Sequence, residues 1–237
     1  KQMQVDTEAM DCTKPQFFAQ SREILAKLQS MTLPELQKLW GCNDALAEQN
    51  FARIRSMDLE RNLTPAILAY VGLQYTHMGP RVLEQEAWEY VCANLRILSG
   101  FYGLLRASDG VAPYRLEMQA KLAVAGKKNL YQYWGRSLYE ALTSEDKVIL
   151  NLASKEYSKA VLPHLPVHVQ VLTCTFGELK GDKVVEKGTM CKMARGEMVR
   201  YMAENDVQQA EALQAFDRLG YRFSPAHSRA EHYVYLK

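Results

Sequence analysis

The stretch Leu95-Arg96-Ile97-Leu98-Ser99-Gly100-Phe101-Tyr102-Gly103-Leu104-Leu105-Arg106 decides how this chain is read. Helical spacing dominates the residues before it, and strand-like apolar runs follow it. With two glycines three apart, the stretch fits a strand entering a turn or a hairpin between helices. So short an apolar run has no period that decides. Upstream, Pro15 opens a helix in which Phe18, Ile24, Leu25, Leu28 and Met31 recur at roughly helical spacing. Thr32-Leu33-Pro34-Glu35 is a capping-box pattern that starts a short helix ending at Gly41. Asn43 caps a third helix to about Met57, Thr64-Pro65 starts a fourth that ends at Gly72, and a longer helix is predicted over 82–95.

Downstream, 130–142 reads as helix and Val148-Ile149-Leu150-Asn151-Leu152 as a buried strand leading to a short helix over 155–161. Residues 167–176 and 183–186 form a predicted hairpin turning at Gly181-Asp182. Helices are predicted over 190–204 and 207–219, the second closed by Gly220, and strands over 221–223 and 232–236. The economical architecture is one α+β domain over 1–237, a mixed β-sheet flanked by helices. Its first part, about 13–95, is mostly helical, and its second, about 96–237, is sheet-rich.

The 237 residues, 48% of them hydrophobic, are enough to bury a core without staples. Five scattered cysteines without a C-x-x-C pair argue against a disulfide framework or structural zinc and make a reducing cytoplasm the expected setting. No apolar run approaches the roughly 20 residues of a membrane span, so no membrane partner is expected. The net charge of +2 hides an asymmetry: residues 111–200 carry 14 basic and 9 acidic side chains. That segment is the one with a positive excess.

Three constellations in it can carry chemistry. In Pro113-Tyr114-Arg115-Leu116-Glu117-Met118, Arg115 and Glu117 share a face if the segment is extended. That suits a structural ion pair at a sheet edge, or a phosphate site in which Glu117 orients Arg115. In 151–157, Asn151, Ser154, Lys155 and Glu156 stand where a strand hands over to a helix, a common ligand position, although Ser154 as a mere cap fits equally. In Lys192-Met193-Ala194-Arg195-Gly196, two cations share a helix face beside a glycine. Glycine inside a helix costs roughly 1 kcal/mol, so Gly196 marks either a bare spot for a phosphate or close packing against a strand. Arg200 lies one turn further on. The histidines at 164, 168, 227 and 232 lack acidic or cysteine companions at metal spacing, so no metal or other cofactor is expected. No Gly-x-Gly-x-x-Gly, Walker-type loop or Gly-x-Ser-x-Gly elbow is present.

Residues 95–106, 113–118, 129–135 (Asn-Leu-Tyr-Gln-Tyr-Trp-Gly), 150–157 and the Lys-x-x-Arg-Gly of 192–196 together resemble, in order and spacing, the YaaA family of peroxide-stress-resistance proteins. The resemblance implies a cytoplasmic bacterial protein of one α+β domain that helps survival of peroxide stress by limiting free intracellular iron. It also implies DNA binding through a positively charged cleft and a helix-hairpin-helix-like element, for which Ser99-Gly100-Phe101-Tyr102-Gly103 is the candidate turn. The family opens with a strand leading into Ser-Pro-Ala-Lys. Lys1-Gln2-Met3 resembles the end of that motif, which places the opening strand outside this sequence.

The leading expectation is therefore a monomeric DNA-binding protein of oxidative-stress defence, largely blind to sequence. Its phosphate contacts are Arg106, Arg115, Ser154, Lys155, Lys192, Arg195, Gly196 and Arg200. The alternative is an enzyme acting on a nucleotide or nucleic acid, with Glu117 or Glu156 as general acid/base, Asn151 beside them, and Arg115 and Lys192 on phosphate. Direct iron or haem handling ranks last.

Overall fold

A computed structural model describes residues 2–5, 12–144 and 148–237; Lys1 lies outside the described residues. In chain order the first elements are β1 (Gln2–Met3), α1 (Phe18–Gln29), α2 (Leu33–Trp40), α3 (Asp44–Ser56), β2 (Thr64–Pro65), α4 (Ala66–Ala69), β3 (Tyr70–Val71) and α5 (Leu73–Met78). Next come α6 (Gln85–Asn94), β4 (Arg96–Ser99), β5 (Gly103–Arg106), β6 (Gly110–Val111), α7 (Leu130–Trp134) and α8 (Ser137–Thr143). The remainder is β7 (Val148–Asn151), α9 (Lys155–Ser158), β8 (Gln170–Lys180), β9 (Lys183–Val185), α10 (Gly188–Glu204), β10 (Arg222–Phe223) and β11 (His232–Leu236). The fold is α+β, with a mixed sheet flanked by helices. The chain forms two compact units: residues 1–71, 96–144 and 153–165 make the first, and 72–95, 145–152 and 166–237 the second.

In the first unit, local signals set the helices. Glu35 closes the capping box of α2, accepting from the Thr32 amide at 2.7 Å, and Gly41 ends that helix in the left-handed region. The Asn43 side chain accepts from the Leu46 amide at 3.1 Å and starts α3. The helix predicted from Thr64 is a strand pair enclosing one turn: β2 pairs with β6 and β3 with β1. The helix predicted over 130–142 breaks at Gly135, where φ is +47°, into α7 and α8.

The decisive stretch is a β-hairpin. Strands β4 and β5 are antiparallel, with Arg96 opposite Arg106 and Ser99 opposite Gly103. Gly103 turns at φ +73°, and a Cβ there would stand 2.9 Å from the Trp134 ring, so only glycine fits. The turn at 99–103 therefore joins two strands, not two helices. The helical hairpin of this unit is α2 and α3, joined by residues 41–43.

In the second unit, β8 is the spine of the mixed sheet. It is parallel to β7 and β11 and antiparallel to β9, while β10 pairs antiparallel with β11. Helix α10 packs on this sheet, burying Cys191, Ala194 and Met198 with Phe176, Phe216, Tyr221 and Tyr235. The helix predicted over 207–219 is a pair of short 3-10 turns, with Leu219 at φ +56°. Helix α5, which the sequence reading left out, crosses α10 at Gly196. A Cβ on Gly196 would sit 2.1 Å from the Gln74 carbonyl oxygen, so the bare spot expected for a phosphate is filled by a helix.

Gly196→Ala accordingly destabilises the protein by roughly 2 kcal/mol, where helix propensity alone would stabilise it by about 1 kcal/mol. Urea unfolding measures this as a lower midpoint at unchanged slope.

Candidate functional site

Among the described residues, 113–117 pair with no strand and the chain turns at 118–119, where the Ala120 amide donates to the Glu117 carbonyl at 3.1 Å, while burial alternates along 113–118. Tyr114, Leu116 and Met118 are buried, while Pro113, Arg115 and Glu117 are partly exposed on the other face. The shared face expected for Arg115 and Glu117 is present; the sheet edge is not. The β4–β5 turn fixes this strip from behind. A Cβ on Gly100 would stand 3.0 Å from the Leu116 carbonyl oxygen, and the Trp134 indole N–H donates to the Gly100 carbonyl at 3.0 Å.

Ser99 ties the parts together. Its hydroxyl oxygen accepts the amides of Phe101 (3.1 Å) and Tyr102 (2.9 Å) and is hydrogen-bonded to the Tyr114 hydroxyl at 2.6 Å. Tyr114 continues the chain to Tyr70 at 2.8 Å. Burial pushes the Tyr70 phenol up to about 12 and Tyr114 well above its ordinary value, so both stay neutral donors. The turn amides that a helix-hairpin-helix would offer to phosphate are thus already engaged, on residues that are fully buried.

Helix α9 belongs to the same unit. Ser154 occupies its N-cap, but its hydroxyl makes no capping bond. Lys155 is exposed. Glu156 folds back, accepting the Gln119 amide at 3.3 Å, and its carbonyl accepts from the Tyr131 hydroxyl at 2.9 Å. Burial first, then the charges of Glu156 and Glu117 among others, raise the Tyr157 phenol. This places both candidate carboxylates in the field of one buried hydroxyl. The Arg115 Nε is buried without a hydrogen-bond partner, and no carboxylate pairs with Arg115 among the described residues. Arg106 ends β5 on the exposed side, near enough to Asp109 to draw its carboxyl down against the larger effect of burial.

The remaining candidates lie in the second unit. The Asn151 amide donates to the Thr173 hydroxyl at 3.3 Å across β7 and β8. Lys192 is exposed, whereas Arg195, on the same helix, is 12% exposed and pairs with Glu186 at 3.3 Å. Arg200 pairs with Glu204 at 2.7 Å; Glu204 also holds Arg218, which reaches Glu197, itself 3.0 Å from His77. These groups knit α5 and α10 to the 218–220 turn. His232 is hydrogen-bonded to Thr175 and His227 to Ser224, each at 2.8 Å. Among the described residues, no three His, Cys, Asp or Glu side chains are grouped to hold a metal ion, and no helix is long and apolar enough to cross a membrane. The sequence reading missed the Ser99–Tyr114–Tyr70 chain. Its signal was the excess of 13 tyrosines over 7 phenylalanines.

These features define an α+β protein whose motif residues build a rigid hydroxyl-backed strip and a cation-bearing helix. A family model described as peroxide stress protein YaaA matches residues 1–227, and the chain belongs to that family. It is 50% identical over 238 residues to a UPF0246 protein of Lachnoclostridium phytofermentans, covering all of this chain and 93% of that one. It is 46% identical over 237 residues to a UPF0246 protein of Lactiplantibacillus plantarum, covering all of this chain and 96% of the relative. A UPF0246 protein of Ligilactobacillus salivarius is 42% identical over 238 residues, with the same coverage.

Burial raises the Glu204 carboxyl, but hydrogen bonds and charge from Arg200 and Arg218 outweigh it and leave it below its ordinary value. A carboxyl lowered by folding stabilises above the usual carboxylate range and loses that contribution as pH falls through its lowered value. Glu204→Gln is therefore less stable than wild type in urea at neutral pH, and the gap closes in acid. A gap independent of pH would contradict the ion-pair account.

Proposed function

We propose that this protein serves peroxide-stress defence in the cytoplasm as a monomer that binds DNA through its phosphates, with the family's limiting of free intracellular iron as part of the same role. The observation that carries this reading is the sorting of the cations. Arg195 and Arg200 are committed to carboxylates, whereas Lys155 and Lys192 are exposed and Arg115 has no carboxylate pair among the described residues. Cations without internal partners are those that can release counterions from a phosphate backbone. Base-edge readers are not required, so the reading is of binding largely blind to sequence. The helical hairpin α2–α3 is the element that a backbone-gripping helix pair would use, in place of the 99–103 turn.

A specific observation favours a second reading, an enzyme acting on a nucleotide or nucleic acid. Glu117 shares a face with Arg115, which has no carboxylate pair among the described residues, and its charge adds to the burial and the Glu156 charge that raise the Tyr157 phenol. Glu117 is then the general acid/base and Arg115 the phosphate holder. Glu156, with one oxygen on the Gln119 amide, positions α9.

On duplex DNA, log affinity should fall linearly with log salt, and Lys155→Ala and Lys192→Ala should each lower that slope by about 1. Affinity that is equal at low and high salt would overturn the DNA reading. Glu117→Gln should leave DNA binding intact; if the second reading holds, it abolishes nucleotide or nucleic-acid turnover by the wild type.

A further inference from the structure

A groove of about 690 Å³ in the first unit lies outside every motif used above. Glu23, Ala26 and Lys27 of α1 form one wall, spaced three and four apart on the helix face opposite the buried Ile24, Leu25 and Leu28. Residues 123–128 form the other, ending in Lys127 and Lys128. All three lysines are exposed, and from 121 to 136 the chain carries four basic and no acidic side chains.

The backbone of the second wall is unusual. Val124 and Lys127 exchange two hydrogen bonds, at 3.1 and 2.9 Å, closing a turn whose central residues Ala125 and Gly126 have φ of +48° and +74°. Alanine in that region costs about 1 kcal/mol. Packing does not impose the shape at the tip, since a Cβ on Gly126 would meet nothing within 4 Å. The turn's evident effect is to bring Lys127 and Lys128 to the groove together. The single acid, Glu23, accepts the Tyr133 hydroxyl at 2.9 Å. Lys27 also draws on Glu35, which is held down chiefly by its bonds from Thr32.

The lining is alanine, glycine, valine, lysine and the one glutamate, with no aromatic side chain on which a base could stack. Lysines meet phosphate as point charges without selecting its substituents. We infer that this groove binds a linear chain of phosphates, in single-stranded nucleic acid or polyphosphate, through Lys27, Lys127 and Lys128. The site extends the phosphate-binding reading to a new surface and fails or stands separately from it.

The test uses the full chain, labelled oligo-dT and oligo-dA, and linear polyphosphate as competitor over a salt series. Wild type should bind both oligonucleotides equally, and polyphosphate should displace them. Lys127→Ala/Lys128→Ala should lower the salt slope by about 2 and weaken both ligands, while Lys127→Arg/Lys128→Arg retains binding. The loss caused by Lys127→Ala/Lys128→Ala should be the same in wild type and in a Lys155→Ala/Lys192→Ala background, because the two sets of lysines act independently. Tighter binding of polyphosphate at equal phosphate concentration assigns the groove to it, and the reverse to nucleic acid. Unchanged affinity and slope in the Lys127→Ala/Lys128→Ala variant would overturn the inference. So would oligonucleotide binding that polyphosphate does not compete. If only the Lys155→Ala/Lys192→Ala variant weakens binding, the groove is overturned while the motif-borne DNA reading stands.

Discussion

The first unit depends on one side chain, the hydroxyl of Ser99. It satisfies two turn amides that would otherwise be buried without acceptors, on Phe101 and Tyr102, which are 0% and 1% exposed. Each such orphan would cost about 1–3 kcal/mol. The same oxygen meets Tyr114, and through it Tyr70, so the hairpin, the strip 113–118 and β3 are joined by one chain of short hydrogen bonds. Aromatic packing reinforces it: Phe101 stacks on Tyr114 with ring centres 4.9 Å apart. The result is a fixed backing for Arg115 and Glu117. Motif residues that look like a phosphate-gripping turn in sequence act here as the buried scaffold beneath Arg115 and Glu117.

The second unit solves a different problem, the close crossing of α5 and α10. Gly196 removes the steric obstacle, and the chain of His77, Glu197, Arg218, Glu204 and Arg200 supplies partners for charges that are only 18–33% exposed. Partly buried charges need such partners, because desolvation otherwise outweighs their attraction. Both arginines of α10, Arg195 and Arg200, are thus held by carboxylates, while its one lysine, Lys192, is exposed.

Much of the fold was legible because its signals are local. The capping box at Thr32, the Asn43 cap and the Gly181-Asp182 hairpin each rest on residues within a few positions of one another. Elements that depend on distant partners were not. Strand pairing to residues 2–3 and 110–111 turns 64–71 from a helix into strands around a single turn, and α5 is a six-residue helix between two glycines, too short to show a period. The site followed the same division. Alternation gave Arg115 and Glu117 their shared face. Which cations are free depends on acids elsewhere: Arg195 finds Glu186 nine residues earlier, whereas the Arg200–Glu204 pair, at i and i+4, was readable. The partner that requires Gly196 to be glycine lies more than a hundred residues away.

Residue-resolved amide exchange with and without duplex DNA tests the central claim, that the 99–103 turn is scaffold and not phosphate clamp. The account predicts that the Phe101 and Tyr102 amides exchange slowly in the free protein and do not change when DNA is added. Fast exchange in the free protein, with protection of those two amides on DNA binding, would contradict it.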